Sequence, residues 1–362
     1  MTRFAIVAAL TVAGAAHADT PHDVARVRGL KVKKPIAQEI VDRADLQSHL
    51  LSKKTAAELE AEAIARTRWG LAAPVTNDDQ VTGTYDPATK KLVLVTPVEE
   101  FVLVHEVEHA LQDMHFDLSK VEGGTGDEAI ARHALVEGDA IVTTLEVLLD
   151  RKGVDPPWDN PQVVAELIRA FDLPVDESYK AGFAFVVGLR AQKPWSAVDA
   201  AFKRPPRSTE QVLHVEKYLA DEQPVAVETL VVADARIIHE TTWGELGVQQ
   251  FLRAHGIDPQ TAKLAAAGWA GDRVTTLEKN GRVIGLARLV FDTPADAMEA
   301  FDAIERAIDD SQLAARAENS EARTRWLALD GTVSTLERRG EEITIELAIP
   351  LAQIGSALPS SR

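Results

Sequence analysis

Apolar residues alternate with polar ones along residues 81–96, in the stretch "VTGTYDPATKKLVLVT". The two alternating runs flank "DPAT" at 86–89, whose residue types favour a tight turn. This stretch therefore predicts a β-hairpin.

The next segment, "VEEFVLVHEVEHALQDMH", repeats its apolar residues at the period of an α-helix. Pro97 suits the first helical position, and Thr96 with Glu99 has the spacing of a capping box. We expect the helix to begin there, which places His105 and His109 in its middle, one turn apart on the same face.

Glycine-rich sequence at 123–126 interrupts the chain, and a second long helix is predicted by "DEAIARHALVEGDAIVTTLEVLLDRKG". Further helices are expected at about 161–171 and 176–192. Ser208 is a suitable N-cap for a short helix that carries His214 and Tyr218.

Beyond about residue 224 the pattern changes: one helix is predicted after Trp243-Gly244 by "ELGVQQFLRAHG", and the remainder consists of alternating strands around a second helix at 294–309. Asn280-Gly281 between two alternating runs is typical of a two-residue hairpin. The predicted fold class is α+β, with a mainly helical domain containing the hairpin at 19–223 and a smaller α+β domain at 224–362. Strands are expected in the second domain at 273–279, 282–291, 332–338 and 342–349.

The N-terminus has the three parts of a secretory signal peptide. Arg3 precedes an apolar run that ends at Ala16, and Ala16-His17-Ala18 has the small residues of a cleavage site. We therefore expect residues 1–18 to be removed and the protein to be exported to the periplasm or the extracellular space. The alternative is a buried N-terminal helix.

Composition narrows the possible functions. A formal net charge of -17, with no basic patch, argues against nucleic acid as a partner. No segment reaches the roughly 20 apolar residues that a membrane-spanning helix needs. The chain has no cysteine, so a metal site has to use His, Asp and Glu.

The sequence "HEVEH" at 105–109 contains two histidines at i and i+4, which can point at one metal ion from one helix face. Glu106 is rotated about 100° from His105, where it can act as a general base without being a ligand. The alternative is a pair of ordinary helix histidines that form ion pairs with Glu108 or Asp113.

A catalytic zinc needs a third protein ligand and one position for water. The next helix offers Glu137, and Gly138 beside it leaves room for close approach by the first helix. Alternatively, Glu137 is a helix-surface residue paired with Arg132 or His133.

The combination of "HEVEHALQD" and "EGDA" resembles the gluzincin branch of the zincin metallopeptidases. The longer series that also includes "YDPATKKLVLV" and "PPRSTEQVLHVEKY" is similar to exported bacterial proteins predicted to be metallopeptidases. The resemblance implies a zincin-like fold, Zn²⁺ bound by His105, His109 and Glu137, and Glu106 as the base.

The chain departs from thermolysin four residues after the ligand glutamate, where an acidic partner is expected and Ile141 is found. Asp139 or Asp113 is then a candidate to orient a histidine. Peptide hydrolysis also needs a donor to the oxyanion, and His214 with Tyr218 is the best candidate pair. The alternative places Tyr218 in the core and pairs His214 with Glu210.

These observations predict an exported zinc-dependent hydrolase, a peptidase acting on peptide or protein substrates. The alternative is a catalytically inactive zincin-like protein of the cell envelope with a binding or structural role.

Overall fold

The computed structural model describes residues 19–50, 54–72, 81–170, 177–192, 194–311, 314–350 and 357–359. The predicted signal peptide at 1–18 lies outside these residues.

The chain folds into helices and strands of both parallel and antiparallel sheets, which confirms the α+β class. The helices are α1 (Thr20–Arg28), α2 (Arg43–Leu50), α3 (Ala56–Arg68), α4 (Glu100–Phe116), α5 (Leu118–Val121), α6 (Asp127–Asp150), α7 (Pro161–Ala170), α8 (Glu177–Gln192), α9 (Ser196–Lys203), α10 (Thr209–Leu213), α11 (Val215–Leu219), α12 (Gly244–Ala254), α13 (Pro259–Ala266) and α14 (Pro294–Ser311). The strands are β1 (Ala37–Val41), β2 (Gly83–Asp86), β3 (Lys91–Val95), β4 (Leu230–Val232), β5 (Arg236–Thr241), β6 (Trp269–Lys279), β7 (Arg282–Phe291), β8 (Ala314–Ser320), β9 (Arg323–Ala328), β10 (Thr332–Arg339), β11 (Glu342–Pro350) and β12 (Ala357–Pro359).

The predicted hairpin is confirmed as β2 and β3, which pair antiparallel. The side chain of Asp86 accepts hydrogen bonds from the Ala88 backbone N–H and the Thr89 hydroxyl, and this stabilises the turn. The short strand β1 adds to β3 in parallel and completes a three-stranded sheet in the order β1-β3-β2.

Helix α4 begins at Glu100, later than the sequence predicts. Glu99 is its N-cap residue and has an extended backbone, but no side chain caps the helix. The expected capping box of Thr96 and Glu99 is therefore wrong, because Glu99 lies outside the helix rather than at its third position.

Helices α6 and α8 cross at two glycines. A Cβ atom on Gly138 would lie 2.1 Å from the carbonyl oxygen of Gly182, and a Cβ on Gly182 would lie 1.9 Å from that of Ala134. The close approach predicted for Gly138 is present, but its partner is α8 rather than α4. Contact between the two backbones fixes the position of α6 against α8.

The C-terminal part contains a seven-stranded antiparallel sheet in the order β5-β6-β7-β11-β10-β9-β8. The predicted turn between β6 and β7 is confirmed, and both Asn280 (φ 53°) and Gly281 (φ 74°) have the left-handed backbone that a type I′ turn requires. Strands β5, β8 and β9 of this sheet have no counterpart in the sequence prediction.

Buried apolar residues form two main clusters. One consists of residues between Val24 and Tyr218, and the other combines residues from Trp243 to Leu347 with Trp69. The Trp69 indole N–H donates to Thr276 Oγ1 at 3.2 Å, so the end of α3 packs on the C-terminal sheet. The domain boundary near residue 224 stays a prediction, and Trp69 makes contact across it.

No helix among the described residues is both long enough and apolar enough to cross a lipid bilayer.

Candidate metal centre

Helix α4 presents His105 and His109 on one face, one turn apart. Their Nε2 atoms are 3.0 Å apart, and the rings are nearly perpendicular. Phe101, one turn earlier, stacks on the His105 ring with the centroids 6.2 Å apart. His109 is buried, whereas His105 is partly exposed, so the pair lies at the edge of the core.

Helix α6 brings Glu137 to the same point. Its Oε2 atom lies 3.1 Å from His105 Nε2 and 3.6 Å from His109 Nε2. These three side chains form one of the two groups of potential metal ligands among the described residues. The structure thus brings together the three residues that the sequence predicts as ligands.

The spacing of these three atoms fits a tetrahedral zinc site. With zinc–ligand bonds of about 2.0–2.1 Å, ligand atoms at the corners of a tetrahedron are about 3.3 Å apart. The observed separations of 3.0, 3.1 and 3.6 Å lie close to that edge length. Two imidazole nitrogens and one carboxylate oxygen are also donors that zinc accepts.

The second group of potential ligands comprises Glu210, Glu222 and Asp292. The ammonium of Lys217 lies between 2.6 and 2.8 Å from all three carboxylates. The ammonium of Lys217 therefore already supplies the positive charge that a metal ion would bring to these carboxylates.

Glu106 lies on the wall of the cavity that contains the three ligands. The cavity has a volume of about 260 Å³, and its wall also includes Tyr179 and residues of β2. Glu106 Oε2 accepts a hydrogen bond of 2.7 Å from the Tyr85 backbone N–H, which fixes the position of the carboxylate. The predicted base is thus beside the three candidate ligands and is not a member of that group.

The charges of His105, His109 and Glu137 depend on one another. Burial acts to lower the pKa of His109, but the carboxylates of Glu137 and Glu106 outweigh it and raise the pKa to about 10. Burial acts to raise the pKa of Glu137, but His109 and His105 hold it well below its usual range. A positive charge at this point is therefore favourable, and a divalent cation would displace a proton when it binds.

A buried hydrogen-bond network reaches His109. Its Nδ1 atom lies 2.9 Å from Gln112 Oε1. The Gln112 amide donates to the Val136 carbonyl and to Asp139 Oδ2, both at 3.0 Å. Asp139 in turn accepts a 2.8 Å hydrogen bond from Arg28, on α1.

Two acidic residues were considered as orienting partners of a histidine. Asp139 contacts Gln112, which in turn contacts His109, whereas Asp113 contacts other groups. Asp113 accepts a hydrogen bond of 2.6 Å from the Tyr85 hydroxyl and pairs with Lys90 at 2.7 Å. Gln112 was missed, although its position three residues after His109 on the same helix was a usable signal.

The structure does not place His214 or Tyr218 in the wall of this cavity. His214 lies at the break between α10 and α11 with a non-helical backbone (φ −125°, ψ 85°), so the expected single helix with both residues on one face is wrong. His214 Nε2 lies 2.9 Å from a carboxylate oxygen of Glu245, and this interaction raises the pKa of the imidazole.

Tyr218 is buried in the core, as the alternative interpretation held. Its hydroxyl donates to the Arg204 carbonyl at 2.9 Å, and its ring packs edge-on against Phe185. The predicted partner of His214 in that alternative, Glu210, instead contacts Lys217, at 2.6 Å.

Two other residues are better placed beside the ligands. Tyr179 lines the cavity, and its ring packs edge-on against His133 with the centroids 5.6 Å apart. The Nε2 atom of His133 lies 3.8 Å from Glu137 Oε1, and its Nδ1 atom lies 3.4 Å from Glu122. Tyr179 was not predicted because it lies on α8, for which the sequence shows no relation to the motif.

Comparison with known proteins gives a family match only in the C-terminal part. Residues 232–357 match a family model described as a domain of unknown function, DUF8575. This region contains the seven-stranded sheet, and His105, His109 and Glu137 all lie outside it. Searches of curated proteins and of solved structures found no match.

Proposed function

We propose that the protein is an exported zinc-dependent hydrolase that cleaves peptide bonds, with Glu106 as the general base. The observation that carries the proposal is the convergence of His105, His109 and Glu137 at tetrahedral spacing, with Glu106 in the wall of the same cavity. Export is inferred from residues 1–18. The choice of peptide bonds rests on the resemblance of "HEVEHALQD" and "EGDA" to gluzincins.

When bound, zinc lowers the pKa of water towards about 7 and polarises a carbonyl group. Glu106 accepts the proton of the attacking water and returns it to the leaving amine. Because Tyr85 N–H already binds one of its oxygens, the other oxygen is available to take part in this transfer. The backbone of β2 thus holds the base in place.

A donor to the developing oxyanion is also needed, and Tyr179 and His133 take the role that the sequence assigned to Tyr218 and His214. Tyr179 lines the cavity, and His133 touches the Glu137 ligand. Burial acts to lower the pKa of His133, but its contacts with Glu122 and Glu137 raise it. A hydroxyl and an imidazole N–H are both suitable oxyanion donors.

The proposal is tested with the purified, zinc-loaded protein on unstructured polypeptides and on a library of fluorogenic peptides. Glu106→Gln keeps the shape of the side chain and its acceptor for Tyr85 N–H, but cannot take up a proton. We expect this variant to bind zinc as the wild type does and to lose hydrolysis by about 10²-fold or more.

Glu99→Gln is the matched control, because Glu99 is an exposed glutamate immediately before the same helix. It should leave both zinc binding and hydrolysis unchanged. Zinc-loaded wild-type protein that cleaves no peptide, or a Glu106→Gln variant with full activity, would contradict the proposal.

A further inference from the structure

Arg28 is a fully buried cation on the first helix of the described chain. Its guanidinium lies 2.8 Å from carboxylate oxygens of both Asp139 and Asp199 and stacks on the ring of Trp195, 4.3 Å from the ring centre. The side chains of Arg28 and Asp139 are both inaccessible to solvent. Burying such a pair is costly, since each ion loses its hydration, and the pair therefore calls for an explanation beyond simple packing.

The contacts continue from Arg28 to a candidate metal ligand without a break. Arg28 Nε donates to Asp139 Oδ1 at 2.8 Å, and Gln112 Nε2 donates to Asp139 Oδ2 at 3.0 Å. Gln112 Oε1 then lies 2.9 Å from His109 Nδ1. Asp139 and Gln112 are both completely buried, so water does not compete for these hydrogen bonds.

The order of donors and acceptors determines where the proton of His109 lies. A carboxylate only accepts, so the amide group that faces Asp139 has to be the NH₂ of Gln112, which also donates to the Val136 carbonyl. The amide oxygen therefore faces His109, and it can only accept from an Nδ1–H group. Neutral His109 is left with its lone pair on Nε2, the atom that points at His105 and Glu137.

We propose that Arg28 is a positioning residue for the metal centre, and that through Asp139 and Gln112 it holds His109 in the tautomer and orientation that bind a metal. The inference rests on the proposed function in that the three ligands bind a divalent ion. It adds that α1, far from the motif in sequence, is part of the centre.

The other histidine of the site, His105, has no comparable partner. In the described part of the chain, the buried Nδ1 atom of His105 has no hydrogen-bond partner. Of the two histidines, only His109 has a protein group that fixes its tautomer. The orientation of the site therefore depends on Gln112 and, through it, on Asp139 and Arg28.

The first test is Gln112→Met, which removes both amide groups, keeps a similar volume and leaves the Arg28–Asp139 pair intact. We expect zinc affinity, measured by competition with a chelator, to fall about 10- to 100-fold, the usual effect of losing such a partner. In NMR spectra of the zinc-loaded protein, the His109 Nδ1–H proton should be protected from exchange in the wild type and lose that protection in the variant. A purely structural role of Gln112 would lower thermal stability without changing either measurement.

The second test compares Arg28→Met, Arg28→Lys and the control Arg26→Met. Arg26 lies on the same helix and pairs with Asp150 at the surface. We expect Arg28→Met to weaken zinc binding, Arg28→Lys to recover part of it by restoring the charge, and Arg26→Met to have no effect. If Arg28→Met does not fold, the zinc affinity of Arg28→Lys is compared with that of the wild type instead. The Gln112→Met variant then provides the second measurement.

The outcomes separate this inference from the proposed function. If the wild type binds no zinc, the proposed function fails and the inference fails with it. If the wild type binds zinc and Gln112→Met binds it equally well with a protected Nδ1–H, only the network is wrong. If Gln112→Met weakens binding but neither Arg28 variant does, the inference is overturned for Arg28.

Discussion

The Nε2 atoms of His105 and His109 lie 3.0 Å apart, on side chains separated by one turn of α4. Two imidazole nitrogens approach this closely only when a proton or a metal ion lies between them, because their lone pairs otherwise repel. Glu137 Oε2 completes the triangle at 3.1 and 3.6 Å. This relationship, which involves two helices, is the structural basis of the proposed metal centre.

Tyr179 should affect catalysis, and Tyr218 should not. We expect Tyr179→Phe to lower kcat on a peptide substrate by about 10²-fold with little change in zinc affinity, because it removes an oxyanion donor from the cavity. Tyr218→Phe removes only the hydrogen bond to the Arg204 carbonyl and should leave kcat near the wild-type value. Steady-state kinetics of the two variants side by side make the comparison, and the reverse order of effects would reinstate Tyr218.

The crossing of α6 and α8 should not tolerate an added methyl group. Gly138→Ala would place a Cβ atom 2.1 Å from the Gly182 carbonyl oxygen and push the helices apart. We expect the free energy of unfolding to fall by about 3 kcal/mol, measured by denaturant titration, because overpacking at a rigid contact is destabilising. Zinc affinity should fall as well, since Glu137 is the neighbouring residue.

Gly188→Ala is the control for this crossing. It also lies on α8, but its nearest neighbour, Val215, would be 3.4 Å from the new Cβ. Alanine is the better helix former by about 1 kcal/mol, so this variant should be as stable as the wild type or more stable. Equal losses in both variants would show that the crossing is less tight than described.

Sequence patterns predicted the features that depend on neighbouring residues. The β2–β3 turn follows from the side chain of Asp86, and the β6–β7 turn follows from Asn280-Gly281, because both are set by local backbone conformation. The two histidines share a face because the helical period puts them there. Glu137 could be predicted as the third ligand because a chain without cysteine can bind zinc only through His, Asp or Glu.

Long-range partners were not predictable in the same way. Arg28 and Asp139 are 111 residues apart, and no local pattern links them. His214 pairs with Glu245, on a helix of the C-terminal region that the sequence did not relate to it. Tertiary packing decides such contacts, and a periodic pattern carries no information about which element lies opposite.

The buried carboxyl group of Glu210 should make the stability of the protein depend on pH. Burial raises the pKa of Glu210 to about 7, and although Lys217 acts to lower it, that ammonium is shared with Glu222 and Asp292. Since the pKa in the folded state exceeds the unfolded value of about 4.3, the protonated form stabilises the fold at low pH. This contribution is lost as the pH rises from about 4.5 to 7.

We therefore expect the free energy of unfolding of the wild type to fall by roughly 2 kcal/mol over that range relative to Glu210→Gln. Chemical denaturation at several pH values measures the difference. Glu222→Gln is the control, because Glu222 contacts the same ammonium from an exposed position. It should keep the pH dependence of the wild type, and a Glu210→Gln variant that also keeps it would contradict the assignment.

X-ray absorption at the zinc edge of the zinc-loaded protein identifies the ligands of the bound ion. We expect one zinc per chain with four ligands at about 2.0–2.1 Å, two of them imidazoles, and loss of tight binding in His109→Ala and Glu137→Gln. A zinc ion surrounded by oxygen ligands alone, or binding that both variants retain, would contradict it.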